Sequence, residues 1–154
     1  MLCRLARAAP SMPEFPSART VQRRLQESVD DANQKILEKL PSTAKLSIAL
    51  DCWTSPFQQA FMAITGYFID QDWNYREILL GFEPLHGTHS GVNLSNVLLE
   101  RLQHCKIEGR VLAITTDNAS NNKTLMKKIQ ESLSAFESHD QFPIIRIPCL
   151  AHVI

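Results

Sequence analysis

Three runs with a two-residue period follow one another with no helix between them, and this order constrains the fold more than any other feature of the chain. In Lys45–Asp51, Leu46, Ile48 and Leu50 point one way while Ser47, Ala49 and Asp51 point the other, the pattern of a half-buried strand. Ala60–Ile69 and Tyr75–Phe82 are joined by the polar, turn-forming Asp70-Gln71-Asp72-Trp73-Asn74. They predict an antiparallel hairpin whose first arm returns beside Lys45–Asp51. Upstream, Val21, Leu25, Val29, Ala32, Ile36 and Leu40 recur every three or four residues, which predicts a helix over 17–41, capped by Ser17 and stopped by Pro41. Downstream, Leu94, Val97, Leu98, Leu102 and Cys105 predict a second helix, closed by Gly109. Arg110–Thr116 is a nearly continuous apolar run, as in a strand buried on both faces. Leu125, Ile129, Leu133 and Phe136 predict a third helix, and Ile144–Ile147 a last strand.

The order helix, strand, strand, strand, helix, strand, helix, strand predicts an α/β protein with a mixed sheet. A three-strand meander followed by parallel strands with crossover helices is the arrangement of an RNase H-like sheet, here ending after the fifth strand. A flavodoxin-like or dinucleotide-binding chain would alternate strand and helix from the start. Neither G-x-G-x-x-G nor G-x-x-x-x-G-K-[ST] occurs, so a glycine cradle for a nucleotide has no support. With 154 residues the chain has room for one domain with a core. It divides into a disordered lead-in over 1–16 with Pro10, Pro13 and Pro16, a helix over 17–41 and a partial RNase H-like domain over 45–154. Sixteen Lys and Arg balance sixteen Asp and Glu, so any contact with nucleic acid has to come from a local patch. No apolar run reaches the ~18 residues that cross a bilayer, and Arg4 and Arg7 interrupt anything like a signal-peptide core. No membrane partner is expected. The four cysteines form no C-x-x-C pair, which fits a reducing compartment.

Two aspartates follow strand-type runs in a related way: Asp51 after Ser47-Ile48-Ala49-Leu50, and Asp117 after Ala113-Ile114-Thr115-Thr116. With the first and fourth strands parallel and adjacent, both carboxylates emerge at the carboxyl edge of the sheet, where open α/β sheets place ligands. Hard oxygen donors there suit Mg²⁺ or Mn²⁺ and phosphodiester chemistry. The plainer reading is that each aspartate turns the chain after its strand. Cys149-x-x-His152 has a chelating spacing, but no second close pair completes a zinc set, and His86 and His89 are far off in sequence. Packing or a hydrogen bond is the simpler role for the pair. Arg19, Arg23 and Arg24, and Lys123, Lys127 and Lys128, each share a helix face and suit weak phosphate contacts or plain solvated surface. Trp53, beside Asp51, is suited to stacking on a base or to burial.

Three stretches carry a resemblance: Leu50-Asp51-Cys52-Trp53-Thr54-Ser55, then Thr115-Thr116-Asp117-Asn118-Ala119-Ser120-Asn121-Asn122, then Cys149-Leu150-Ala151-His152. In this order they resemble the leading signatures of hAT-superfamily transposases, and Pro16-Ser17-Ala18-Arg19-Thr20 resembles the stretch that precedes their RNase H-like core. The resemblance covers roughly residues 15 to 154. It implies a DNA-transposase core with a D-D-E carboxylate set, in which Asp51 matches the first acid and Asp117 the second. Cys149 and His152 match the C-x-x-H motif beside that active site, with a role in packing or strand handling. Mg²⁺ or Mn²⁺ is implied for the intact parent. The glutamate implied as the third acid lies beyond the C-x-x-H motif and is not among these 154 residues. Neither is a BED-type zinc finger or the implied dimerisation segment. Glu131, Glu137 and Asp140 follow Asp117 but fall in or just after a helix expected to pack away from the site.

The expected function is therefore that of a fragment or relic of a hAT-type transposase core, inactive alone and binding no metal stably. The alternative is a domesticated, non-catalytic DNA- or protein-binding module. A complete RNase H-like nuclease is disfavoured by the missing third carboxylate. The implied partners are DNA, bound weakly, and a second copy in the full-length parent; DNA as substrate implies a nuclear location.

Overall fold

A computed structural model describes residues 15–134 and 143–152. Most of the expected lead-in, with Cys3, Phe136, Glu137 and Asp140, lies outside the described residues. The elements are helix α1 (Ala18–Leu37), strands β1 (Leu46–Thr54), β2 (Ala60–Ile69) and β3 (Tyr75–Leu85), helix α2 (Gly91–Cys105), strand β4 (Val111–Thr116), helix α3 (Asn122–Leu133) and strand β5 (Ile145–Pro148). They form one five-stranded sheet in the order β3-β2-β1-β4-β5. β1, β2 and β3 pair antiparallel, while β4 runs parallel to both β1 and β5. The mixed RNase H-like sheet expected from the element order is the one observed.

Alternation along β1 sends Leu46, Ile48 and Leu50 into the core, where they join Met62 and Ile64 of β2 and Ile114 of β4. Helices α2 and α3 close the same core with Leu94, Leu98 and Leu102 and with Leu125, Ile129 and Leu133. The start of α2 is fixed by Ser90, whose side chain accepts from Asn93 N, and its end by Lys106 in a left-handed conformation (φ 56°). Gly91 lets the two helices approach closely, since a Cβ there would collide with the Asn121 carbonyl and lie 2.7 Å from Leu125 N. In β3 the register slips between Leu79 and Gly81, so Leu80 is an extra residue and Phe82 falls opposite Ala63. That bulge brings Phe82 within 5.4 Å of Trp53 and 5.3 Å of Phe61, ring centre to ring centre.

Compact packing divides the chain into Met1–Ala32 and Asn33–Ile154. Within the second unit, Leu37 and Leu40 belong to the core, Ile36 packs against it and Asn33 donates to the Leu79 carbonyl. Val21, Leu25 and Val29, in the first unit, are 49%, 64% and 40% exposed. Among the described residues no helix is long and apolar enough to cross a membrane.

Candidate functional site

The carboxyl edge of the central strands is built by the end of β4 and the turn that follows it. β1 and β4 are in register at Ala49 and Thr115, and continuing that register by two residues sets Asp51 level with Asp117. The two aspartates nevertheless differ in setting. β1 was expected to end at Asp51; instead it continues to Thr54, because Asp51, Cys52, Trp53 and Thr54 still pair with Ala63, Met62, Phe61 and Ala60 of β2. Asp51 thus lies inside a strand, exposed, on the face opposite Leu50.

Asp117 lines a small cleft of ≈ 150 Å³ together with Leu50, Cys52, His89, Asn121 and Asn122. Asp51 does not line this cleft. The physical reason is the pleat: Leu50 and Cys52 face the cleft, and the residue between them leaves the strand on the other side. Both carboxylates still act on Cys52. Its thiol is pushed up to about 11, by burial first and then by the charges of Asp117 and Asp51. A thiol so protonated is a packing group, not a nucleophile.

Each asparagine of the Asp117–Asn122 segment ties a different piece of chain to the site. Asn122, buried, donates to Asp117 Oδ1 at 2.6 Å and to the Asp117 carbonyl at 2.9 Å. Asn121 donates to the His89 carbonyl at 2.7 Å, and its own buried Oδ1 has no hydrogen-bond partner among the described residues. Asn118 donates to the His152 carbonyl at 3.2 Å. Cys149 N donates to the Thr116 carbonyl at 2.8 Å, which holds the Cys149–His152 turn against the end of β4 through its backbone. Arg146, which sequence reasoning missed, reaches along β5 to donate to Thr116 Oγ1 at 2.9 Å and to the Asp117 carbonyl at 2.7 Å. Its only sequence signal is an arginine interrupting the apolar Ile144–Ile147 run.

The donor set falls short of a two-ion centre. Asp117 Oδ1 already accepts from Asn122 and from Ala119 N at 3.1 Å. No group of three His, Cys, Asp or Glu side chains among the described residues is arranged to hold a metal.

Trp53 is neither fully buried nor free: it is 38% exposed and packs on Phe61 and Phe82 on the open face of the sheet. Of the basic candidates, Arg23 pairs with Glu27 at 3.4 Å, and Lys127 and Lys128 both reach Glu131. Arg19, Arg24 and Lys123 make no ion pair among the described residues.

A meander carrying two parallel strands, with aspartate and asparagine at their carboxyl ends, defines an RNase-like domain. The chain belongs to the ZBED1 RNase-like domain family, whose pattern matches residues 49–142. Over 153 residues, 99% of the chain, it is 57% identical to tpeD of Talaromyces stipitatus, a protein named as a candidate transcriptional regulator. Over 147 residues, 92% of the chain, it is 27% identical to a candidate AC transposase of Zea mays. The BED-domain zinc finger protein RICESLEEPER 1 of Oryza sativa is 25% identical over 114 residues, 71% of the chain. These matches establish a hAT-type, transposase-derived domain. The chain spans 18% of the length of tpeD and of the Zea mays transposase, and 16% of RICESLEEPER 1.

Proposed function

We propose that this domain is a DNA-handling segment of a transposase-derived nuclear protein and that residues 1–154 alone cleave no DNA. The observation that carries the reading is the incomplete carboxylate set: Asp117 sits in the cleft with one oxygen engaged, and Asp51 stands on the other face of β1. In-line phosphoryl displacement needs ions fixed on both the attacking and leaving oxygens, and a displacement of ~1 Å can cost ~100-fold in rate. Of the six basic candidates for phosphate contact, Arg19, Arg24 and Lys123 have no ion pair among the described residues, and Arg23, Lys127 and Lys128 are partly neutralised by theirs. The test incubates the purified chain with Mg²⁺ or Mn²⁺ and a hairpin DNA substrate. Uncut DNA is expected, and nicking that disappears in Asp117→Ala overturns the reading.

The identity of 57% with a candidate transcriptional regulator favours a second reading, a domesticated binding module without catalysis. The two differ in the longer protein. Strand cleavage by a form that carries further acidic ligands supports the transposase reading, and its absence there supports the module.

A further inference from the structure

The first turns of α1 carry an apolar stripe with a polar shoulder on each side. Leu25, Val29 and Ala32 follow the four-three spacing of a coiled-coil seam, and Val21 extends it by one turn toward the helix start. At ~100° per residue these four side chains fall within an arc of ~80°, and all four are exposed. Leu25, at 64%, is the most exposed of the stripe's large side chains.

The shoulders carry charges of both signs, sorted along the helix. Arg19 and Arg24 lie near its start, and Asp30 and Asp31 two to three turns later. Arg24 and Asp31 flank one side of the stripe and Arg19 and Asp30 the other, each ~100–140° round from Leu25. Arg24 and Asp31 are both exposed, and neither has an ion-pair partner among the described residues. On the other shoulder Asp30 accepts from Gln26 of its own helix at 3.0 Å.

We propose that this stripe is a contact between two copies of the chain, paired antiparallel about a twofold axis. The inference is independent of the DNA-handling reading. With Leu25 of each copy opposite Val29 of the other, Arg24 comes within ~1.5 Å, measured along the axis, of the level of Asp31 on the same shoulder of the second copy. The twofold makes that pair twice. A parallel pair would bring unlike shoulders together, Asp31 beside Asp30 and Arg24 toward Arg19, like charge against like. Charge therefore selects the antiparallel arrangement, as flanking charges do in coiled coils. The contact differs from the dimerisation segment that the transposase resemblance implies, which is not among these 154 residues. A seam of about four turns per copy falls under the ~1,200 Å² of a standard interface, so the association is weak. In dilute solution the chain is a monomer with Leu25 exposed, as observed.

Sedimentation velocity of the purified chain at low salt reads the association. Loading from about 5 to about 500 µM brackets a dissociation constant of about 50 µM, the order expected of so small a contact. The weight-average mass is expected to rise from one chain toward two. Leu25→Glu, which sets a carboxylate in the seam of both copies, is expected to hold it at one chain throughout. Arg24→Asp and Asp31→Arg are each expected to weaken association about tenfold, because the twofold turns both pairs into like charges. The double variant, with the two charges exchanged, is expected to restore it. All three positions are exposed, and circular dichroism checks that the helices stay formed. A mass of one chain at every concentration overturns the proposal. Association that Leu25→Glu leaves intact also overturns it, by placing the contact on another surface. Single exchanges that change nothing, or that the double variant does not rescue, overturn the antiparallel pairing.

Discussion

Arg146 and Asp70 show how single polar side chains fix the ends of strands in this sheet. Arg146 donates to Thr116 Oγ1 and to the Asp117 carbonyl, and Thr116 is 2% exposed, so removing the guanidinium takes one partner from a buried hydroxyl and from a carbonyl that keeps its bonds from Asn122 and Thr116. Arg146→Ala is expected to cost about 1–2 kcal/mol, read as a lowered urea midpoint at constant slope. Arg146→Lys should recover only part of it, because one ammonium cannot reach both acceptors in the fork geometry. Asp70, in the β2–β3 turn, is 5% exposed and accepts from Asp72 N and Asn74 N, each at 2.9 Å, and from Arg76 Nε at 2.6 Å. Burial alone would raise its pKa, but the bonds from Asn74, Arg76 and Asp72 outweigh it and hold the carboxyl at about 2, below the ordinary 3.8. A depressed folded-state pKa means that the stabilisation is complete above pH 3.8 and is lost as pH falls from there toward about 2. Melting temperature should therefore drop across that window in the native chain and drop less steeply in Asp70→Asn, which is less stable at neutral pH. Equal slopes for the two proteins would remove Asp70 from the acid transition.

Helix α1 behaves as two pieces at the level of the element. Its last turn is core: Leu37 is 8% exposed and clusters with the sheet, and Leu40 just beyond is 5% exposed. Its first turns carry an unburied stripe, with Leu25 64% exposed. Leu37→Ala should cost about 2–3 kcal/mol through lost burial and a residual cavity, whereas Leu25→Ala should stay within about 0.5 kcal/mol. Thermal melts of the two variants check the contrast. A large loss in Leu25→Ala would mean that the exposed stripe is covered in solution. The strands follow the same logic of local pairing: β1 outruns β4 because β2 is ten residues long and continues to offer partners as far as Ala60. Its extension carries Trp53 out onto the open face, where Phe61 and Phe82 pack against it.

For the whole molecule, the order of elements was readable because hydrophobic period reports secondary structure directly: Leu46, Ile48 and Leu50 alternate, and Leu125, Ile129 and Leu133 repeat every four residues. Asp117 with its asparagines was readable as a motif. What each asparagine holds was not, because His89 and His152 lie 32 and 34 residues away and only the folded chain brings their carbonyls close. The bulge that aims Phe82 was hidden for the same reason, since register is a property of pairs of strands.

Charge is likewise a whole-molecule property, and it bounds how this chain binds DNA. Sixteen positive and sixteen negative side chains cancel, so no long-range field draws a polyanion in. Arg23, Lys127 and Lys128 already face Glu27 and Glu131, which leaves Arg19, Arg24 and Lys123 to displace counterions at full effect. If these three alone contact phosphate, the slope of log affinity against log salt for duplex DNA should be about −2.7. Raising salt from about 50 to about 200 mM would then weaken binding by about 40-fold. A salt titration followed by fluorescence anisotropy reads the slope directly. Six full contacts would give a slope near −5.4, and a value that steep would mean that DNA also engages the paired Arg23, Lys127 and Lys128 or Lys35, Lys39 and Lys106, which are unpaired among the described residues.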